Sequence, residues 1–246
     1  MFKINSEITI SDKNEPFIIA EAGINHDGEF EKAIELVDLA IDSGASAIKF
    51  QTHITDKEMI PTDMKPGNIS EESLWDIIDR CVLDNEQERS LFDYAKEKGI
   101  LFFSTPFSRE GADRLNELGV ELYKIGSGEC NNYPLIEHIS EFGKPIILST
   151  GMNDIQSISK SVNIFEKHGI PYALLHTTNI YPTSNNLVRL GAMVELQKEF
   201  PNAVVGLSDH TITNHACFGA VALGASILER HFTDSMSREG PTLSAH

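Results

Sequence analysis

The sequence predicts an α/β protein of the (β/α)8, or TIM-barrel, type. Three observations carry the prediction. Eight short apolar runs alternate with seven amphipathic segments, the pattern of parallel strands joined by helices. The length of 246 residues suits eight such units. Several apolar runs also end in Lys, Gln, Glu, Asn or His, and barrel proteins place their functional groups at the C-terminal ends of the strands.

Residues 2–10 alternate through Phe2, Ile4, Ile8 and Ile10, which predicts a strand of a small N-terminal β-hairpin capping the barrel bottom. A strand at 17–22 precedes a helix at 30–43, where Ala33, Leu36, Val37, Ala40 and Ile41 form one apolar stripe. The turn between them, Gly23-Ile24-Asn25-His26-Asp27-Gly28, does not fit the G-x-G-x-x-G fingerprint of a doubly wound sheet. The second strand spans 47–52. The stretch 54–70 after it, with Pro61, Pro66 and Gly67, reads as a long loop and, after a barrel strand, as a lid. Helices near 85–98, 109–118, 132–142, 153–168, 187–199 and 214–223 then alternate with strands near 101–105, 121–126, 145–150, 172–180, 203–209 and 226–232. Gly44, Gly99, Gly119, Gly143, Gly169 and Gly224 sit at helix-to-strand junctions, and Pro201 marks a further one. From Thr233 to His246 no amphipathic segment follows. The eighth helix is therefore expected to be missing, with the outer face of the last strand near Ile227 exposed. Residues 1–246 read as a single domain.

Twenty Lys and Arg against 37 Asp and Glu give a net charge of -17. That argues against nucleic acid or an anionic membrane as the main partner, while a few local cations still suffice for a small anion. Cys81, Cys130 and Cys217 have neither metal-type spacing nor the pattern of a disulfide framework, which suits a reducing compartment. No signal-peptide pattern opens the sequence and no apolar run reaches membrane-spanning length, so the expectation is a soluble, cytoplasmic protein.

Side chains two apart on a strand share a face. Lys49 and Gln51 therefore point one way, as do Asn179 and Tyr181, Ser208 and His210, and Glu229 and His231. Burying such groups is costly unless they pair or serve chemistry. The polar residues collected at the strand ends are Glu21, Lys49, Gln51, Thr105, Lys124, Ser127, Glu129, Ser149, Asn179, Tyr181, Ser208, His210 and His231, one shared site. His210 and His231 close adjacent strands and suit a divalent transition metal, although hydrogen-bonding roles compete and His26, His53 and His176 lie near strand ends too. Lys49 and Lys124 read either as a Schiff-base nucleophile or as a clamp for phosphate or carboxylate. Two lysines beside the hydroxyls of Thr105, Ser127, Ser149 and Ser208 favour the clamp. Gly126-Ser127-Gly128 offers backbone N–H groups to an anion, and Glu129 could move a proton. Cys130 reads as a packed thiol.

The segments Phe17 to Gly28, Ile48-Lys49-Phe50-Gln51-Thr52, Phe103-Ser104-Thr105-Pro106-Phe107 and Tyr123-Lys124-Ile125-Gly126-Ser127-Gly128-Glu129 resemble the sialic acid (N-acetylneuraminate) synthase family. So do Leu148-Ser149-Thr150-Gly151-Met152, Thr178-Asn179-Ile180-Tyr181-Pro182, Gly206-Leu207-Ser208-Asp209-His210-Thr211 and Glu229-Arg230-His231-Phe232-Thr233. The resemblance covers residues 15–241 in order. It implies condensation of phosphoenolpyruvate with an N-acetylhexosamine such as N-acetylmannosamine, giving a nine-carbon 2-keto sugar acid and phosphate. It implies a divalent metal, Mn2+ or else Mg2+ or Co2+, on His210 and His231. Lys49, Thr105, Lys124, Ser127, Ser149, Asn179 and Ser208 would hold phosphoenolpyruvate, and Gln51 and Tyr181 would face the sugar. Glu129 would act in proton transfer, and Glu21 would order sugar or water. A homodimer is implied as well.

Two departures accompany the match. The family's Gly-Pro-Asp appears here as Gly240-Pro241-Thr242, and its C-terminal antifreeze-like domain, which lends an Arg to the partner's site, is expected to be absent. Three alternatives follow: a legionaminic or pseudaminic acid synthase, a truncated ligand-binding barrel with little activity, and a Schiff-base aldolase.

Overall fold

Alternation of inward and outward side chains along eight parallel strands organises the molecule. The structure, a computed structural model, describes residues 1–66 and 71–234. An antiparallel pair, β1 (Phe2–Lys3) and β2 (Thr9–Ile10), comes first. The strands β3 (Phe17–Gly23), β4 (Ala47–Thr52), β5 (Leu101–Pro106), β6 (Tyr123–Ile125), β7 (Ile146–Ser149), β8 (Tyr172–Thr177), β9 (Val204–Asp209) and β10 (Ile227–His231) then pair in chain order, and β10 closes the barrel against β3. Around them run α1 (Phe30–Asp42), α2 (Thr55–Glu58), α3 (Leu74–Arg80), α4 (Asn85–Lys98), α5 (Arg109–Leu118), α6 (Tyr133–Ser140), α7 (Ile155–His168), α8 (Leu190–Glu199) and α9 (His215–Ala222). This is the expected (β/α)8 architecture.

The barrel interior changes character along its axis. At the bottom, Phe17, Ile19, Ala47, Phe103, Leu122, Ile147, Ala173, Leu175, Val204 and Ile227 form one apolar cluster with Phe2, Ile4 and Ile10 of the hairpin. Burying a large side chain of this kind contributes roughly 1.5–3 kcal/mol. The outward residues of the same strands, among them Ile48, Phe102, Leu148, Leu174, Val205, Leu207 and Leu228, pack in a second cluster with the helices. Local signals set the helix ends. Asp84 caps α4 by accepting from Glu86 N and Gln87 N at 2.9 and 2.8 Å, while Gly99 leaves it at φ 80°.

The structure corrects several expectations. Residues 2–10 hold both strands of the hairpin, because Asn5 Oδ1 accepts from Glu7 N and Ile8 N and turns the chain between them. The stretch 54–70 is not all loop: Thr55–Glu58 makes one helical turn. A further helix, α3, follows, with Ser73 Oγ accepting from Asp76 N at 3.1 Å. Its Ile77 and Ile78 pack with Ile24 and Cys81. The strand expected at 172–180 ends at Thr177, and the chain then loops, with Thr183 Oγ1 donating to Ile180 O at 2.6 Å. Ile227 is fully buried inside the barrel; the exposed apolar side chain on the adjoining outer face is Ile18, at 39%. The expectations about the eighth helix and Thr242 concern residues 235–246, outside the described residues. No helix among the described residues is long and apolar enough to cross a membrane.

One position tests the closure of the barrel. Gly206 faces inward on β9, and a Cβ there would lie 2.2 Å from the Ile227 carbonyl oxygen and 2.8 Å from Ile227 Cβ on β10. Overpacking of this kind costs about 1–3 kcal/mol, and each kcal/mol lowers the melting temperature of a domain this size by about 2–4 °C. Gly206→Ala is expected to destabilise accordingly in calorimetry; an unchanged melting temperature would contradict the packing described.

Candidate active site

Two residues beyond the apolar layer, every strand supplies a polar inward side chain. Ile19 is followed by Glu21, Ala47 by Lys49, Phe103 by Thr105, Leu122 by Lys124, Ile147 by Ser149, Leu175 by Thr177 and Ile227 by Glu229. On β9, Ser208 follows Gly206. All the predicted side chains except Glu129 line one cavity of about 180 Å3 at this level. A larger cleft of about 500 Å3 beside the end of β8 shares Thr177 and Asn179 but neither lysine. The charged groups converge in the smaller one.

Lys49 Nζ lies 2.5 Å from Glu21 Oε2 and 3.8 Å from Glu229 Oε2, and donates to Thr105 Oγ1 at 3.2 Å. Glu229 Oε1 accepts from Lys124 Nζ at 3.2 Å and from Ser208 Oγ at 2.9 Å. Gln51 Nε2 donates to Glu21 Oε1 at 3.2 Å. The two carboxylates are both buried yet tuned apart. Burial pushes Glu21 up to about 7 against the pull of Lys49, with the Glu229 charge adding to the rise. Burial opposes ionisation of Glu229 too, but Lys124, Lys49 and the Ser208 hydroxyl together outweigh it and hold Glu229 at about 2. Lys124 is lowered, chiefly by its own burial. A carboxyl near neutrality beside a firmly ionised one is the arrangement that separates a proton carrier from a fixed charge.

On the opposite wall, the Ser127 hydroxyl oxygen accepts from Gly151 N at 3.1 Å, which ties the turn after β6 to the loop after β7. Ser149 Oγ and Asn179 Oδ1 are buried and have no hydrogen-bond partner among the described residues. A Cβ on Gly151 would lie 1.8 Å from Asn179 Oδ1, so only glycine lets this amide approach the cavity.

His210 and His231 stand with ring centroids 5.5 Å apart, and the Tyr181 ring covers His210 at 4.0 Å. His210 Nδ1 donates to Thr178 O at 2.8 Å, which leaves the lone pair on Nε2. Burial lowers the pKa of His210 and keeps the ring neutral. Between these inward residues, the outward ones clamp the loops. Arg230 donates to Thr211 O and Thr213 O at 2.6 and 2.8 Å, and Asp209 accepts from Thr211 N at 3.0 Å. Among the described residues no group of three or more His, Cys, Asp or Glu is arranged to hold a metal.

The other candidates separate clearly. Glu129 sits half-buried on the turn after β6, accepts from Asn132 Nδ2 at 2.6 Å and does not line the cavity. His26 takes Gly28 N–H on Nδ1 at 3.2 Å and burial holds it at about 4; His176 Nε2 donates to Val188 O at 2.6 Å. Both are structural. Burial pushes the Cys130 thiol up to about 12, as befits a packed cysteine. Sequence reasoning misses Thr177, and it omits Glu229 from the collected site set although it places Glu229 on the face of His231. The period of two carried the signal for both, since Glu229 shares a face with His231 and Thr177 with Leu175.

The tuned carboxylates lead to a titration experiment. In a carbon-13 NMR titration one glutamate is expected to titrate near pH 7 and to vanish in Glu21→Gln. In Glu229→Gln its midpoint should fall, because a negative neighbour is lost and Lys49 pairs with Glu21 alone. Glu21 is raised in the folded state, so its contribution to stability is complete below the ordinary glutamate value of 4.5 and is lost as pH rises through about 7. Glu21→Gln should therefore flatten the loss of stability across that window. A Glu21 midpoint in the ordinary carboxylate range would contradict the burial and charge balance described.

The NeuB family model matches residues 36–245. The N,N'-diacetyllegionaminic acid synthase of Campylobacter jejuni is 41% identical over 233 residues, covering 91% of this chain and 69% of that protein. The enzyme of the same name from Legionella pneumophila is 38% identical over 239 residues, covering 92% of this chain and 66% of that protein. The N-acetylneuraminic acid (sialic acid) synthetase of Leptospira borgpetersenii, solved in complex with citrate, superposes with a TM-score of 0.89 at 31% identity, covering all of this chain and 82% of that one. The chain spans about two thirds of the length of the curated relatives it matches. With a matching family model over most of its residues and two fifths of its positions shared with a characterised synthase, the chain belongs to the NeuB family.

Proposed function

We propose that this chain condenses phosphoenolpyruvate with the open-chain aldehyde of an N-acetylated hexosamine, producing a nine-carbon 2-keto sugar acid and inorganic phosphate. The observation that carries the reading is the polar layer itself. Lys49, Lys124 and the hydroxyls of Thr105, Ser127, Ser149 and Ser208 converge on one small cavity, with two imidazoles at its rim. Such a set suits a compact anion bearing a phosphate and a carboxylate.

In this reading the two ammonium groups neutralise phosphoenolpyruvate, and the hydroxyls with Asn179 orient it. Its methylene carbon forms the new bond to the aldehyde carbon, whose oxygen takes up a proton and becomes a hydroxyl. Water adds to the cationic C2 centre and gives up a proton. The tetrahedral adduct then loses phosphate, leaving the ketone. Glu21, titrating near neutrality, is the group placed to give or take these protons. Gln51 and Tyr181 flank the sugar side. His210 and His231 fit a divalent cation, manganese first and magnesium or cobalt otherwise, because His210 Nδ1 is engaged by Thr178 O and its Nε2 is free to ligate. Bound there, the ion would polarise the aldehyde oxygen as a Lewis acid. A Schiff-base role for Lys49 or Lys124 has less support, since each amine is held by a carboxylate.

For the acceptor, the 41% and 38% identities to legionaminic acid synthases exceed the 31% to the sialic acid synthetase. They favour a diacetamido hexose over N-acetylmannosamine.

Incubation with Mn2+, phosphoenolpyruvate and either sugar is expected to release phosphate and form a 2-keto acid. No product with any N-acetylated hexose would overturn the reading, and a borohydride-trapped pyruvate adduct on Lys49 or Lys124 would favour the aldolase. Lys124→Met should lower kcat/KM by about 100-fold, as loss of one partner of a buried charged pair does. His210→Ala should weaken Mn2+ binding, read by electron paramagnetic resonance, by about tenfold or more; unchanged affinity would remove His210 from the metal site.

A further inference from the structure

The polar network does not stop at the cavity wall. Gln51 Oε1 lies 3.1 Å from His53 Nε2, and His53 Nδ1 lies 2.8 Å from Glu58 Oε1. The His53 and Glu58 side chains are each 4% exposed. The imidazole stacks on Phe107, with centroids 4.5 Å apart and planes 8° from parallel. Glu58 ends the single turn α2 and curls back on it, its Oε2 lying 3.4 Å from Ile54 N. Met59, next in the chain, packs on the cluster of Ile24, Ile77, Ile78 and Cys81. The pair is thus built into the segment after β4.

Hydrogen-bond valence fixes the direction of this chain of contacts. When ionised, the Glu21 carboxylate held by Lys49 only accepts, so in that state the Gln51 amide turns its NH2 toward it. Gln51 Oε1 then faces His53 and needs a donor there. On the other side of the ring, Glu58 also only accepts. In that state both ring nitrogens are placed to donate, Nε2 to Gln51 Oε1 and Nδ1 to the Glu58 carboxylate. A hydrogen bond donated to its carbonyl polarises the Gln51 amide and strengthens its N–H donors. One of those donors goes to Glu21. The other is directed at the cavity.

We propose that His53 and Glu58 are a positioning pair that holds Gln51 with its N–H groups toward Glu21 and the cavity, so that the site presents a donor to an acceptor oxygen of the sugar. The proposal rests on the reading of Gln51 as facing the sugar. It assigns specificity to two residues that touch no substrate. In Glu58→Gln the ring loses the carboxylate that favours a hydrogen on each nitrogen, and a ring bonded through Nδ1–H alone leaves Nε2 bare. Gln51 would then flip to give Nε2 a donor, turning its carbonyl toward Glu21 and the sugar.

Nitrogen-15 NMR of the full chain at a pH above the Glu21 midpoint of about 7, with His53 assigned by its loss in His53→Asn, is expected to show hydrogens on both ring nitrogens. A neutral ring overturns the proposal, and this readout needs no activity. In steady-state kinetics, Glu58→Gln should raise KM for the sugar about tenfold or more while leaving KM for phosphoenolpyruvate within about twofold, the scale seen when outer partners of a site are removed. Glu58→Asp, which keeps the acceptor, should recover part of the loss and serves if Glu58→Gln melts early. Equal changes in both KM values, or none, reduce the pair to packing and overturn the proposal. A wild-type chain that makes no product with any sugar sinks the functional reading instead, while the ring spectrum still decides the state of His53.

Discussion

Two lysines and two glutamates sit inside the barrel, shielded from solvent, and the upper half of the structure is arranged around keeping them in balance. Each ion taken from water costs several kcal/mol in a protein interior. Lys49 lies between Glu21 and Glu229, and Lys124 reaches the second of these. Removing Glu229, the firmly ionised partner of both lysines, would leave uncompensated charge, a loss of about 3–5 kcal/mol. The same balance makes the site responsive. An anion entering the cavity competes with Glu21 and Glu229 for the ammonium groups, so the protein's own carboxylates hold the place that a substrate's acidic groups would take. Glu21, with the weaker hold on its charge, is the one that yields.

A chain of net charge -17 can hold such a site because the field that matters is local. Within the cavity, Lys49, Lys124 and the hydroxyls outweigh a distant acidic surface whose charges are screened within about 8 Å at physiological ionic strength. Geometry is supplied from behind. Asp209 and Arg230 occupy the outward positions between Ser208 and His210 and between Glu229 and His231. Their bonds to the loop at 211–213 hold both imidazoles in place without entering the site.

Most of the barrel was legible in the sequence because period-two and period-3.6 patterns are local. The segment after β4 was not. Its helices are short, and α3 is marked mainly by the Ser73 cap and by Ile77 and Ile78, which find their partner, Ile24, on a different loop. In the site, strand periodicity placed Lys49, Lys124, Thr105 and Ser149 correctly, and the same rule applied to Leu175 and Ile227 would have added Thr177 and Glu229. Glu129 follows a strand and stands beside Ser127, so spacing alone put it with the others. A neighbouring asparagine, visible only in three dimensions, draws its carboxylate away. The His53–Glu58 contact likewise depends on a helical turn folding back on the strand end.

The strict alternation along β9 and β10 bears on how such a protein can change through time. Ser208-Asp209-His210 and Glu229-Arg230-His231 each run cavity, clamp, cavity. An inserted or deleted residue within either strand would exchange the two roles, turning the clamp inward and the imidazole outward. Length variation is therefore tolerable only in the connecting segments, such as the one after β4. Lineages of this fold can lengthen or shorten their loops to meet new partners, while the interiors of the strands admit substitution but not a change of length.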